Sequence, residues 1–581
     1  MTPQKTLLPK PLGNLLFPAL LMMVWALQSF LIDPRGEFPL NDDWMYSQSV
    51  LILFRDHRLH FFDWQAAFSL TQILWGWLVS CFTGFSMTAL RISVVVLGGV
   101  GILLSYALFR EFHKDRSVAF GAALLIAVNP LYLVWSHSFM TDIPFYTLSV
   151  ASFLLGVRWL KNERLNHWLI FTLCACLASL VRQLAIVIPI SLFAAVLIKQ
   201  GLRKKPLGMA LVSIAAVAIT LWAFKAILEN TLGIPYMMTA KENGVPWALM
   251  QALQSLQFAA LLSLVTVRSF LKVALSLGFF MFPAILLTFF PVFRGMSKRA
   301  RVIALATILA AVLLFGLLQR ITGLRMPLGP ETLHDFGIGP LTLSGNKALP
   351  EAPSLLWTVY GLLGSIGAGI FGFLAGPFFL RTFRSGSLGG WREQAWPLVL
   401  AASACILYFT LLTISGHFDR YQTFYFPLIL LSLLHVGRAF PWNTSKVFLA
   451  GAFLMTLAIG YFSVAGTHDY LSWNRVRWQV LRSIMLQKEI PPSEIDGGYE
   501  FNGWYLYDPN YRKVPEKSWY WVIRDTYRIS FAPVSNYRIL QNFSYRKWLP
   551  FGGNQLFLLQ RIREEAKTHN GSVGKPVYVL D

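Results

Sequence analysis

Thirteen apolar runs, each close to the length needed to cross a bilayer, decide what this chain can fold into. A hydrocarbon core takes about 20 residues of helix. Runs of that kind begin near Leu15, Met87, Val118, Ile143, His167, Leu184, Leu207, Phe270, Val302, Leu355, Ala395, Phe424 and Val447. Only 13% of the 581 residues are charged and the mean hydropathy is +0.53, where a soluble chain carries about 25% charge. Lipid is therefore the solvent for most of the chain. The expectation is an α-helical multi-pass membrane protein of about thirteen spans. The runs from His167 and Leu184 are short and meet at Val181-Arg182-Gln183, which reads as a tight hairpin.

A net charge of +22 raises nucleic acid as a partner, but its distribution excludes that reading. The basic residues sit in short clusters between apolar runs, such as Arg110–Lys114–Arg116 and Arg203–Lys204–Lys205. Short basic loops mark the cytoplasmic side of a membrane, and anionic phospholipid is what they meet. With the N-terminus cytoplasmic, the basic loops at 110–117, 158–166, 199–206, 294–301, 381–394 and 438–446 all face the cytoplasm. The long loops at 34–86, 229–269 and 319–354 then lie outside. An odd number of spans puts the C-terminus outside as well. The first run is long for a signal peptide and lacks a small-residue cleavage site, so it reads as a retained span in the cell's cytoplasmic (inner) membrane. The four cysteines lie in apolar stretches and read as buried, inert thiols.

Near Thr467 the texture changes from apolar to mixed. Residues 1–466 form the membrane domain, with 34–86 as its first outer loop, and 467–581 form an extracytoplasmic α/β domain. Strands are expected at Tyr520–Ile523, Tyr537–Leu540, Gln555–Leu559 and Val577–Leu580, and a helix from Arg475 to Gln487. Gly497-Gly498-Tyr499-Glu500-Phe501-Asn502-Gly503-Trp504 is distinctive and reads as a turn between strands.

Charged residues at the outer helix ends are the candidates for chemistry. Asp42 and Asp43 are adjacent just after the first span. One aspartate can cap the following helix; a second is surplus to that role. Asp142, in Thr141-Asp142-Ile143-Pro144, sits at a membrane boundary, where an ionised group needs water or a partner. Its competing role is again a helix cap. His417-Phe418-Asp419-Arg420-Tyr421 places a guanidinium on the outer side, away from the basic face. Arg420 is there either to snorkel or to grip an anion in its planar fork. Arg182 invites the same reading, and Lys241, Arg268, Arg320 and Arg325 do so with less force.

Carboxylates and cations from distant segments thus share one face. Sugar transfer from a lipid phosphate needs that mixture. A carboxylate takes the proton of the acceptor hydroxyl, cations hold the phosphate as its charge grows, and a groove between spans takes the tail. Neither a P-loop nor a dinucleotide fingerprint is present.

At these residues the chain resembles the GT-C membrane glycosyltransferases, in the branch holding protein O-mannosyltransferases and the lipid A aminoarabinose transferase. That family carries an acidic pair in its first outer loop with a tyrosine close behind, matched here by Asp42-Asp43 and Tyr46; Asp43 stands where the family often has Glu. Thr141-Asp142-Ile143-Pro144 is similar to its Thr/Ser-acid-x-Pro element, and Arg420-Tyr421 to a basic-aromatic element before a late span. The resemblance implies Asp42 as general base, with Asp43 and Asp142 supporting it. Arg420 and Arg182 would bind the carrier phosphate, and Tyr46, His417 and Tyr421 would line the substrate site. It implies a polyprenyl-phosphate-linked sugar as donor and a glycan, lipid or protein hydroxyl as acceptor. A divalent cation is left open, with Asp43, Asp142 and His137 as the side chains that would hold it.

A transporter or lipid-sugar flippase is the alternative. It predicts repeated halves and charges at mid-membrane, and the sequence shows neither. A non-catalytic scaffold predicts no dependence on Asp42.

Overall fold

The computed structural model describes residues 10–323, 332–384, 388–438, 445–511 and 520–562. Helices dominate it. The first, α1 (Lys10–Ile32), leads into two shorter helices, α2 (Asp43–Asp56) and α3 (Leu70–Thr83). Next come α4 (Met87–Arg110), α5 (Arg116–Ala127), α6 (Pro130–Ser136), α7 (Asp142–Asn162), α8 (Leu165–Val181), α9 (Val187–Gln200) and α10 (Lys204–Ile227). The chain continues through α11 (Tyr236–Gln254), α12 (Leu256–Phe280), α13 (Phe282–Arg294) and α14 (Lys298–Thr322). After a small hairpin, β1 (Leu333–His334) and β2 (Gly337–Ile338), follow α15 (Ser354–Arg384), α16 (Leu388–Ser415), α17 (Tyr425–Gly437) and α18 (Lys446–Gln487).

Among the described residues, ten helices are long and apolar enough to span a membrane, and eleven when α5 and α6, bent by 63°, count as one span. The two other expected spans fall on α8, of 17 residues, and α17, of 13. At 1.5 Å per residue these helices run only about 26 and 20 Å, short of a ~30 Å core. The reason is visible at their ends. Arg182 leaves α8 in an extended conformation, and a 3-10 turn over Asp419–Phe424 precedes α17. Both breaks put guanidinium-bearing residues at helix ends.

The helix expected over Arg475–Gln487 is the last part of α18, a continuous helix of 42 residues that crosses residue 467. Its length of about 63 Å is twice the hydrocarbon thickness. The apolar first half and the buried polar second half are thus one rigid rod joining the bundle to the C-terminal segment. That segment holds a four-stranded sheet in the order β3-β4-β6-β5, made of β3 (Ile495–Asp496), β4 (Tyr527–Ser530), β5 (Tyr537–Ser544) and β6 (Gln555–Arg561). β3 pairs parallel with β4, and the other pairs are antiparallel.

Two expectations fail here. Tyr520–Ile523 is not a strand: Trp521 takes a φ of +65° and its ring packs against Trp44, Trp64 and Tyr507. The aromatic run fills a box rather than alternating across a sheet. The Gly497–Trp504 stretch is not a turn between strands either; it launches helix α19 (Tyr499–Leu506). The strand expected at Val577–Leu580 lies outside the described residues.

Candidate functional site

A cavity of about 580 Å³ opens where the loop before α2, the ends of α7, α8 and α16, the start of α11 and the C-terminal segment meet. Asp42, Tyr46, Arg182, Arg420 and Tyr421 line it together, from segments up to 379 positions apart. Met237, Met238, Leu411, Leu412 and Phe418 give it an apolar wall.

The chain reaches Asp42 through a constrained backbone. Asn41 has a φ of +54°, a left-handed conformation that asparagine tolerates. Asp42 occupies the cap position of α2 but makes no side-chain cap bond, so the capping role does not account for it. Its carboxylate is committed elsewhere. Oδ1 accepts a hydrogen bond of 2.7 Å from the Tyr499 hydroxyl, and Oδ2 lies 3.4 Å from Arg420 Nη2. About a fifth of the side chain remains exposed to the cavity (21%).

Asp43 points away from the cavity, into protein. Its Oδ1 accepts the backbone N–H of Leu40 at 2.5 Å and its Oδ2 that of Phe139 at 3.0 Å. Burial pushes this carboxyl up to about 7, against the opposing pull of the Arg91 guanidinium and the two N–H donors. Asp43 thus ties the first loop to the turn between α6 and α7, and leaves Asp42 alone of the pair facing the cavity.

Asp142 starts α7 with no side-chain cap bond from the preceding Thr141. It is buried and pairs with Arg182, Oδ2 to Nη2 at 2.9 Å. Arg182 also donates to the Thr141 hydroxyl, from Nε at 3.1 Å and Nη2 at 2.9 Å. Its guanidinium lies 4.9 Å from the Tyr421 ring centre, and that of Arg420 lies 5.4 Å from the same ring. Tyr421 is therefore the shared face on which two cations rest. Stacking on an aromatic face steadies a guanidinium without using up its N–H donors. The hairpin read at Val181–Gln183 is the bend that delivers Arg182 here.

Asp419 turns the other way. It accepts from the Thr332 backbone N–H at 3.0 Å, the Thr332 hydroxyl at 2.6 Å and the Leu333 backbone N–H at 3.0 Å. These bonds pin the 3-10 turn and so fix Arg420, the next residue. His417 does not line the cavity; its ring stacks on Tyr425, and burial pushes the imidazole down to about 4. His137 is also away from the cavity, buried with Nδ1 2.8 Å from the Leu133 carbonyl oxygen. Among the described residues no three His, Cys, Asp or Glu side chains converge. Asp43, Asp142 and His137 accordingly do not assemble into a metal centre: each is turned to a different internal partner.

The structure adds residues that the sequence reading passed over. Tyr499, Trp64 and Tyr520 line the mouth, and Tyr499 touches Asp42 directly. Of these, only Tyr499 lay in a stretch marked as distinctive. Nothing in its spacing ties it to a loop 457 positions earlier.

Residues 73–227 match the family described as dolichyl-phosphate-mannose-protein mannosyltransferase. The matched stretch, about a quarter of the chain, contains Asp142 and Arg182 but neither Asp42 nor Arg420. No curated protein matches the chain. The solved structures similar to it include ArnT from Cupriavidus metallidurans bound to undecaprenyl phosphate, at 14% identity and a TM-score of 0.40, covering 94% of this chain and 98% of that one. They also include ArnT from the same organism in the apo state, at 13% identity and a TM-score of 0.36, covering 95% and 99%.

Proposed function

We propose that the chain moves a sugar from a polyprenyl-phosphate carrier to an acceptor hydroxyl at the extracytoplasmic face of the cytoplasmic membrane. One observation carries this reading. A single cavity presents a partly exposed carboxylate, Asp42, beside two buried guanidinium groups, Arg182 and Arg420, against an apolar wall. That is the set of groups the reaction asks for. The apolar wall suits a prenyl tail, and the forked cations suit its phosphate.

In this reading Asp42 takes the acceptor's hydroxyl proton, and the hydroxyl oxygen attacks the sugar's anomeric carbon. The bond from that carbon to the phosphate oxygen breaks, and polyprenyl phosphate leaves with the electron pair. Arg420 and Arg182 meet the charge that builds on the leaving phosphate, where fixed donors in a dry site act most strongly. Tyr46 and Tyr421 shape the pocket. The membrane domain spans 1–466 and the extracytoplasmic domain 467–581, with the N-terminus in the cytoplasm.

The test is an assay of the purified chain against a panel of polyprenyl-phosphate sugars, reading release of free polyprenyl phosphate. Asp42→Asn should abolish release while the protein still inserts and melts normally. Wild-type rates in that variant would remove Asp42 as base.

A further inference from the structure

The Gly497–Trp504 stretch lies far from the membrane loops in sequence, yet two of its side chains close on the Asn41–Asp42 step. Tyr499 donates its hydroxyl to Asp42 Oδ1 at 2.7 Å. Glu500 Oε1 accepts the backbone N–H of Asn41 at 2.9 Å. Adjacent residues of α19 therefore hold both the backbone before Asp42 and the carboxylate itself.

The grip is anchored from behind. Glu500 Oε2 accepts from Arg477 Nη1 at 2.8 Å, and both side chains are fully buried (0% and 0%). Arg477 Nε also donates to the Gly497 carbonyl oxygen at 2.7 Å. Arg477 stands on α18, the rod that continues from the bundle. Gly498 has a φ of +90°, and a Cβ there would sit 2.6 Å from the Thr342 carbonyl oxygen, so only glycine fits this start to α19. Gly503 is equally confined: a Cβ would meet the Trp44 ring at 2.5 Å. Trp521 stacks on the Tyr499 ring, their centres 5.8 Å apart. Each contact fixes where the Tyr499 hydroxyl points.

We infer that Tyr499 is a positioning residue for Asp42, so that the C-terminal domain completes the reaction centre instead of merely covering it. This rests on the reading of Asp42 as the base. Two partners orient the carboxylate: Tyr499 holds Oδ1 tightly, while Arg420 reaches Oδ2 at a longer 3.4 Å. With Oδ1 held at 2.7 Å, Oδ2, whose contact is the longer one, is the oxygen placed to meet the acceptor's proton. Removing the phenolic hydroxyl leaves the 3.4 Å Arg420 contact as what orients Asp42, and the looser hold lowers the fraction of time it faces the acceptor.

The test is Tyr499→Phe in the full chain, assayed by release of free polyprenyl phosphate. The expected result is a fall in kcat of about 10- to 100-fold, the worth of a hydrogen bond to a charged group, with donor KM within about twofold. The melting temperature should hold, because Asp42 opens to the cavity and water can take the place of the lost donor. A purely structural role would move the melting temperature and leave kcat alone. If Tyr499→Phe also lowers the melting temperature, Tyr499→His, which restores a ring donor, should recover part of kcat; no recovery overturns the inference. Wild-type kcat in Tyr499→Phe with an inactive Asp42→Asn would overturn the positioning role alone. Wild-type kcat in Asp42→Asn would remove the base reading beneath it.

Discussion

Asp42 and Arg420 meet across 378 positions of sequence, with Oδ2 3.4 Å from Nη2 inside one cavity. The contact is long for a charge-assisted hydrogen bond, which closes near 2.7–2.9 Å. Arg420 is also within 5.5 Å of the ring centres of Trp135, Phe418 and Tyr421, so aromatic faces hold it as firmly as the carboxylate does. A guanidinium seated this way can turn part of its fork to an arriving phosphate without leaving Asp42 unpaired. Arg420→Lys keeps the charge and loses the planar fork. Donor KM should rise about tenfold or more, with thermal stability nearly unchanged. An unchanged KM would count against a phosphate role.

Asp142 and Arg182 are a buried pair whose members hold each other. Removing one partner of such a pair strands the other's charge, at a cost of about 3–5 kcal/mol. Asp142→Asn should therefore lower the melting temperature in detergent markedly. Asp142→Asn combined with Arg182→Gln should cost less than the two single changes added together. If Asp142→Asn instead abolishes transfer with no loss of stability, Asp142 acts in the chemistry itself.

Asp43 makes stability depend on pH with a definite sign. Its folded-state carboxyl is pushed up to about 7 by burial, above the ordinary 3.8. The folded state therefore holds this proton more tightly than the unfolded chain does. The contribution is fully present below about pH 4 and is lost as pH rises through about 7. Asp43→Asn cannot serve both the Leu40 and Phe139 N–H donors, and loses about 1–3 kcal/mol by leaving one unmatched. It also has no proton to lose. The gap in melting temperature between wild type and Asp43→Asn should narrow between pH 5 and pH 8. A gap that widens over that range would contradict the burial-driven shift.

Much of this was legible in the sequence because membranes impose coarse rules. Run length marked the helices, and Asp42, Arg182 and Arg420 could be put near one another because ionised groups at helix ends need a reason. The acidic pair was harder to read. Successive residues entering a helix project about 100° apart, so one of Asp42 and Asp43 faces the cavity while the other is tucked inside. Composition cannot say which. Trp521 falls in an aromatic run that predicts a strand, but its left-handed backbone and its aromatic box are tertiary facts. Tyr499 was out of reach for the same reason: its partner is set by how α19 docks, and docking has no period.

The Arg477–Glu500 pair tests how that docking is held. Both side chains are fully excluded from water, and Glu500 also carries the Asn41 N–H. Arg477→Met preserves length and apolar bulk but leaves Glu500 buried without its cation, which costs about 3–5 kcal/mol. Glu500 and the Gly497 carbonyl oxygen that Arg477 holds both belong to the C-terminal segment, so the loss should fall there first. Limited proteolysis should then cut within 497–511 while the membrane helices stay intact. Activity should fall along with that protection, since α19 brings Tyr499 to Asp42. Adding Glu500→Gln to Arg477→Met removes the stranded charge and keeps an acceptor for Asn41, so protection should partly return. If the double variant is no better protected than Arg477→Met alone, the buried charge is not what fastens the domain to the first loop.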